Sequence, residues 1–190
     1  AWRALRAKGR TAVVTTPIEH KAILGAVHQA AREGAEERIL GMTTDGVVDE
    51  KSFDELVDDA VAVCSTMWVN NEIGPIQPIP RLAAKAKDRG ALFHTDAVQA
   101  FGKISIDAQK QRFDFLTISG HKFGAPKGIG ALFIRRGTAL EPLMHGGTQD
   151  RGRRPGTENV AAAVGLARAA ELTLAECEAH CARLRKLRER

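Results

Sequence analysis

Short apolar runs alternate with segments of helical period along most of the chain. Ala12 to Thr15 has the pattern of a strand. His20 to Arg32 follows as a helix, with Ile23, Leu24 and Val27 on one face and Gly34 as its stop. Arg38 to Met42 reads as a second strand, and Ser52 to Asp58 as a short helix capped by Ser52 with Glu55 three residues on. Ala60 to Thr66 is almost continuously apolar, the mark of a strand buried on both faces. A loop over Trp68 to Gln77 leads to a helix over Ile79 to Asp88, ended by Gly90. Ala91 to His94 is the next strand and delivers Asp96 at its C-terminal end. This alternation predicts an α/β fold, a three-layer α/β/α sandwich about a mostly parallel sheet.

The segment from Phe113 to Ile134 breaks the rhythm. Its apolar runs, Phe113 to Ile118 and Ile129 to Ile134, are joined without a helical pattern. A parallel crossover needs roughly a dozen residues or more, usually a helix, so these two strands are expected to be antiparallel and the sheet mixed. After a glycine- and arginine-rich loop, His145 to Gly156, a helical pattern runs to the end with Leu166, Leu172, Leu174, Leu184 and Leu187 as its apolar positions. Residues 1–160 are thus expected to form an incomplete domain, and 161–190 a long helix leading out of it. Both ends read as cut: the chain starts just before a buried strand and stops on Arg188-Glu189-Arg190 without a C-cap. The expectation is a piece of a larger protein.

At 190 residues and 44% apolar content the chain is long enough for one proper core. No apolar run approaches the roughly 20 residues that span a bilayer, and no secretory h-region opens the chain. The expectation is a cytoplasmic protein without a membrane partner. The net charge of +5 gathers at the C-terminal helix, where Arg183, Arg185, Lys186, Arg188 and Arg190 face only Glu189. With 5% aromatics and no tyrosine, a solvated helix face is the better reading than a nucleic-acid site. Cys64, Cys177 and Cys181 show no zinc or CxxC spacing, so no metal site is expected and the thiols read as buried or incidental.

The chemistry is concentrated at the ends of two strands. Lys122 closes the run that ends at Ile118, flanked by Ser119, His121 and the glycine-rich turn to Gly130. Strand ends collect ligands in α/β proteins, and a lysine there can form a Schiff base with a carbonyl compound, pyridoxal phosphate (PLP) above all. Asp96 closes a neighbouring run and suits the pyridine nitrogen of such a ring. Taken singly, Asp96 is an ordinary turn cap and Lys122 a solvated lysine. Found together, they point to one cofactor.

Five segments then carry a resemblance. They are Thr16-Pro17-Ile18-Glu19-His20-Lys21-Ala22, Asn70-Asn71-Glu72-Ile73-Gly74, His94-Thr95-Asp96-Ala97-Val98-Gln99, Ser119-Gly120-His121-Lys122, and the run from Gly146 to Asn159 that includes Arg151-Gly152-Arg153-Arg154-Pro155-Gly156-Thr157. In this order they resemble fold-type I PLP enzymes of the class V aminotransferase group, and within it cysteine desulfurases of the NifS/IscS-like branch. The resemblance implies that Lys122 holds the cofactor and Asp96 pairs with its ring nitrogen. It implies that His20 stacks on the ring and relays protons, Gln99 bonds the ring hydroxyl, and Ser119 and His121 bind the phosphate. Asn71 would lie beside the cofactor and the substrate carboxylate. Thr157 would reach the phosphate in the other subunit of a homodimer; its plainer reading is a helix N-cap followed by Glu158.

The implied reaction takes L-cysteine to alanine and passes the sulfur to an iron–sulfur scaffold or another acceptor protein. The same resemblance implies that a phosphate-binding loop, the nucleophilic cysteine and a carboxylate-binding arginine belong to segments outside these residues, and that none of Cys64, Cys177 and Cys181 takes the persulfide. Two alternatives share the cofactor residues: another class V aminotransferase or lyase, and an inactive truncated product. A dinucleotide site fits poorly, since Gly128-Ile129-Gly130 lacks a third glycine and opens no helix.

Overall fold

The computed structural model describes residues 1–189; Arg190, the end of the helix expected over 161–190, lies outside the described residues. In chain order the elements are α1 (Trp2–Arg6), β1 (Ala12–Thr15), α2 (Lys21–Arg32), β2 (Glu36–Ile39), α3 (Glu50–Leu56), β3 (Val61–Ser65), α4 (Ile79–Asp88), β4 (Leu92–Asp96), β5 (Phe115–Ser119), a 3-10 turn (Gly120–Phe123), β6 (Gly130–Ile134), α5 (Gln149–Gly152) and α6 (Val160–Arg188). The strands form one sheet in the order β2-β1-β3-β4-β5-β6. Neighbours run parallel except β5 and β6, whose antiparallel register sets Phe115 opposite Ile134 and Ser119 opposite Gly130. The expected mixed sheet is the one observed.

Alternation of side chains along each strand divides two cores. Ala12 and Val14 join Leu40, Phe53, Leu82 and Phe93 beneath α3 and α4. Val13 points the other way, into a smaller core with Trp2, Leu5 and Val27 from α1 and α2. On α4, Ile79, Leu82, Ala83 and Ala86 are buried, a spacing that puts all four on one face. Burying a leucine such as Leu82 contributes about 1.5–3 kcal/mol. Gly90, at φ +72°, then turns the chain into β4. The chain leaves β1 through α2 toward the edge strand β2 and leaves β3 through α4 toward β4, on the opposite face. The connections thus diverge at the C-terminal ends of β1 and β3, the place where open α/β sheets collect ligands.

Several local expectations need correction. The second strand is Glu36–Ile39, not Arg38 to Met42: its register is set by the four residues of β1, and an edge strand can carry Glu36 and Glu37 toward solvent. Asp49, not Ser52, caps α3 by accepting from Lys51 N–H, while Ser52 lies inside the helix and its Oγ accepts from Gly41 N–H at 2.8 Å. The N-cap of α6 is Asn159, which accepts from Ala162 N–H, and not Thr157. Neither α1 nor α5 was expected, nor the 3-10 turn after β5; each is short, and a single turn leaves little periodic trace. The leucines expected to give α6 its apolar face are largely exposed, among them Leu172, Leu174, Leu184 and Leu187.

Candidate active site

Four neighbouring strands, β1, β3, β4 and β5, bring the singled-out residues to one edge of the sheet. Asp96 is the last residue of β4 and the register partner of Thr117 on β5, two positions before Ser119. Its carboxyl is buried, and Oδ1 accepts from Val98 N–H at 2.9 Å. No side-chain donor reaches it among the described residues. Burial pushes its pKa up, while the Val98 N–H and the nearby charge of His20 pull it back. His20 arrives from β1 and caps α2, its Nδ1 accepting from Ala22 N–H at 3.1 Å. The cap that a histidine makes at a helix start and its place beside Asp96 are thus compatible.

Lys122 stands in the 3-10 turn after β5, exposed and without an acidic partner among the described residues. The turn closes at Gly124, whose φ of +87° is a left-handed conformation that glycine adopts freely. Gly120 allows the turn to approach β6 and α6: a Cβ there would lie 2.9 Å from Leu166 Cδ1 and 3.0 Å from Ile129 O. Ser119 Oγ and His121 Nδ1 are hydrogen-bonded at 2.9 Å on the exposed side of the turn. Gln99, in the turn after Asp96, accepts from Lys103 Nζ at 2.7 Å. Burial first, and then the charge of Lys122, lower the pKa of Lys103.

The loop after β3 is built by Asn70 and presents Asn71. Asn70 Nδ2 donates to Ile18 O at 2.7 Å, and its Oδ1 accepts from the N–H groups of Glu72 and Ile73. Asn71 is left exposed at the loop tip. Buried Gln77 anchors the loop base by donating to Gly46 O and accepting from Val48 N–H. Thr157 is exposed and lines a cavity of about 860 Å³ together with Gly128 and Gly130 of the glycine turn and Arg151 and Arg154.

Glu19 and His94 lie in the quoted segments, and the sequence alone gives them no role. Glu19 is 6% exposed; Oε1 accepts from the Thr16 hydroxyl and from Met67 N–H, both at 2.7 Å, and Oε2 has no partner. It clamps the loop after β1 to the loop after β3. Burial pushes its pKa to about 7 against the pull of those two bonds, with Asp96 adding a smaller upward push. His94 bridges three strands, its Nδ1 2.8 Å from Ser65 Oγ and its Nε2 2.9 Å from Thr117 Oγ1. Burial lowers its pKa to about 4, so the bridge is neutral at pH 7. The available signal was a polar residue breaking each of three apolar runs: Ser65, His94 and Thr117.

The set comprises a buried carboxyl in no salt bridge and an amine one strand away without an acidic partner, both among the described residues, and an exposed hydroxyl–imidazole pair. These suit, in turn, a protonated ring nitrogen, an aldehyde and a phosphate, so the residues present fit PLP. Residues 1–190 match the family described as aminotransferase class-V. The chain belongs to that family. It is 45% identical to a cysteine desulfurase of Bradyrhizobium diazoefficiens over 96% of this chain and 47% of the relative. To the cysteine desulfurase IscS of Methanosarcina thermophila it is 45% identical over 97% of this chain and 46% of that protein. A solved NifS-like protein superposes with a TM-score of 0.93 at 38% identity, covering 98% of this chain and 52% of the other. A structure described as SspA in complex with cysteine gives a TM-score of 0.81 at 34% identity, over 90% and 52% of the two chains. This class-V chain spans about half the length of the curated relatives it matches. Its mixed sheet with helices on both faces is the PLP-dependent fold-type I architecture of those NifS-like neighbours.

Proposed function

We propose that this chain forms the cofactor-holding part of a PLP-dependent cysteine desulfurase that takes L-cysteine to alanine. The observation that carries the reading is the delivery of Asp96 and Lys122 by adjacent parallel strands, with Asp96 buried and in no salt bridge among the described residues. When bound, PLP supplies an aldehyde that condenses with amines and a ring that accepts electron density from the substrate's α-carbon. Asp96 holds a proton on the ring nitrogen. The Lys122 amine would hold the cofactor through its aldehyde and move the substrate's α-proton. His20 would stack on the ring and relay protons. Gln99 orients the ring hydroxyl, Ser119 and His121 hold the phosphate, and Asn71 orients the substrate carboxylate.

Thr157, exposed on the loop before α6, acts in the other subunit of a homodimer. The sulfur passes to an iron–sulfur scaffold or another acceptor in the cytoplasm. No helix among the described residues is long and apolar enough to cross a membrane. Cys64 is fully buried, and burial raises its thiol pKa strongly. Cys177 and Cys181 lie on α6, where Cys181 Sγ donates to Lys103 O in the loop after β4. None of the three is assigned the sulfur-accepting role.

Adding PLP to the purified chain is expected to give a visible absorption band that L-cysteine shifts, with alanine yield well below one per chain. Lys122→Ala should abolish the band, and Asp96→Asn should leave a weaker, blue-shifted one. An identical band in Lys122→Ala would overturn the assignment. Stoichiometric alanine release would instead place a sulfur nucleophile within these residues.

A further inference from the structure

Cys177 and Cys181 stand one turn apart on α6 and line the same cavity of about 800 Å³, together with Phe101, Ile104, Leu116 and Phe133. Cys181 Sγ donates to Lys103 O at 3.5 Å, which fixes that sulfur against the loop after β4. Desolvation first, and then the neighbouring Cys181 sulfur, hold the Cys177 thiol above its ordinary pKa range. Four apart on one helix, the two thiols lie on the same face. Lys103 and Arg185 bring positive charge to the cavity wall, Glu178 brings negative charge, and Lys103 is close enough to feel a charge on Cys181.

Helix spacing decides what such a pair can do. Side chains four apart have Cβ atoms about 5–6 Å from each other, whereas a disulfide needs about 3.5–4.5 Å. Closing an S–S bond here demands distortion of α6. A bridging atom bound to each sulfur at about 2.3 Å, a typical metal–thiolate length, spans the gap without it. Zinc and iron–sulfur clusters require four ligands. No group of three or more His, Cys, Asp or Glu capable of holding a metal exists among the described residues. The remaining class is a soft ion satisfied by two thiolates, and thiolates select monovalent copper.

We propose that Cys177 and Cys181 form a two-thiolate site for monovalent copper. Binding replaces two S–H bonds by two S–Cu bonds and releases two protons, and no electron changes hands. The product carries one negative charge, which Lys103 and Arg185 offset and Glu178 opposes.

The test is an anaerobic titration of the reduced chain with copper(I) in competition with bicinchoninate, read from the colour of the chelator complex. One equivalent per chain is expected to leave the chelator. Two thiols should react with a disulfide reagent before loading and none after, because Cys64 is buried in both states. Cys177→Ser and Cys181→Ser should each weaken uptake at least tenfold, and Lys103→Met less. Uptake that persists in the doubly substituted chain, or no uptake by the wild type with both thiols free, overturns the site. Circular dichroism of each variant separates loss of a ligand from loss of the fold.

Discussion

Strands β3 and β6 are made of similar residues and lie in very different surroundings. Val61-Ala62-Val63-Cys64-Ser65 is buried at every position, whereas Gly130, Ala131, Leu132 and Phe133 of β6 are all exposed. The difference is place in the sheet. β3 lies between β1 and β4 with helices over both faces, and β6 pairs only with β5. The helices repeat the contrast: α4 buries four residues in ten, and α6 buries only Ala162 in twenty-nine. So do the titratable groups. Asp96, Glu19 and His94, on the β1–β4 side, have pKa values moved mainly by burial, while Lys122 and His121 reach solvent beyond β5. The candidate site joins a buried, carboxylate-bearing half to an open, basic half, an arrangement suited to a ligand with one ring nitrogen and one phosphate.

Core truncation gives the largest expected effect. Phe93→Ala, on β4, should destabilise the chain by about 3–5 kcal/mol, while Phe133→Ala on β6, which is 37% exposed, should cost under about 1 kcal/mol. Urea unfolding of the two variants measures this directly, and equal costs would break the comparison.

The buried titratable pair gives the next. Glu19 is raised from 4.5 to about 7, so between those values the folded chain keeps a proton that the unfolded chain has released. Stability contributed by Glu19 falls as pH rises through that window, by on the order of 3 kcal/mol. His94 is lowered from 6.5 to about 4, so there the unfolded chain takes up the extra proton and stability falls as pH drops, by a similar amount. The two slopes oppose each other in the wild type. Glu19→Gln should uncover stability that rises from pH 4.5 to 6.5, and His94→Gln stability that falls from pH 4.5 to 7. Unfolding midpoints across that range test both signs.

A smaller effect sharpens the contrast between helices. Asn159→Ala removes the cap of α6 and should cost about 1 kcal/mol. Because α6 packs lightly, the loss should register as local fraying by hydrogen exchange near Ala162 rather than as global unfolding. The smallest effect concerns the edge itself. Leu132→Lys, on a strand with an open edge and a side chain 47% exposed, should leave stability within about 0.5 kcal/mol and lower self-association measured by light scattering.

Local pattern determined a good deal. The apolar runs located β1, β3, β4 and the β5–β6 pair, and the helix over Ile79–Asp88 is observed with the bounds read from its spacing. The missing crossover between β5 and β6 revealed their antiparallel pairing, and the strand-end segments disclosed the family and raised Lys122 and Asp96 as candidates. These features are legible because periodicity and turn chemistry act over a few residues. Tertiary structure alone decided that β6 is exposed, that Asp49 and Asn159 do the capping, that Glu19 clamps two loops, and that His94 bridges Ser65 to Thr117. Burial, hydrogen-bond partnership and pKa depend on which distant segments a side chain meets. Ser65 and Thr117 reach His94 only because β3, β4 and β5 lie side by side, and nothing within any one strand announces that.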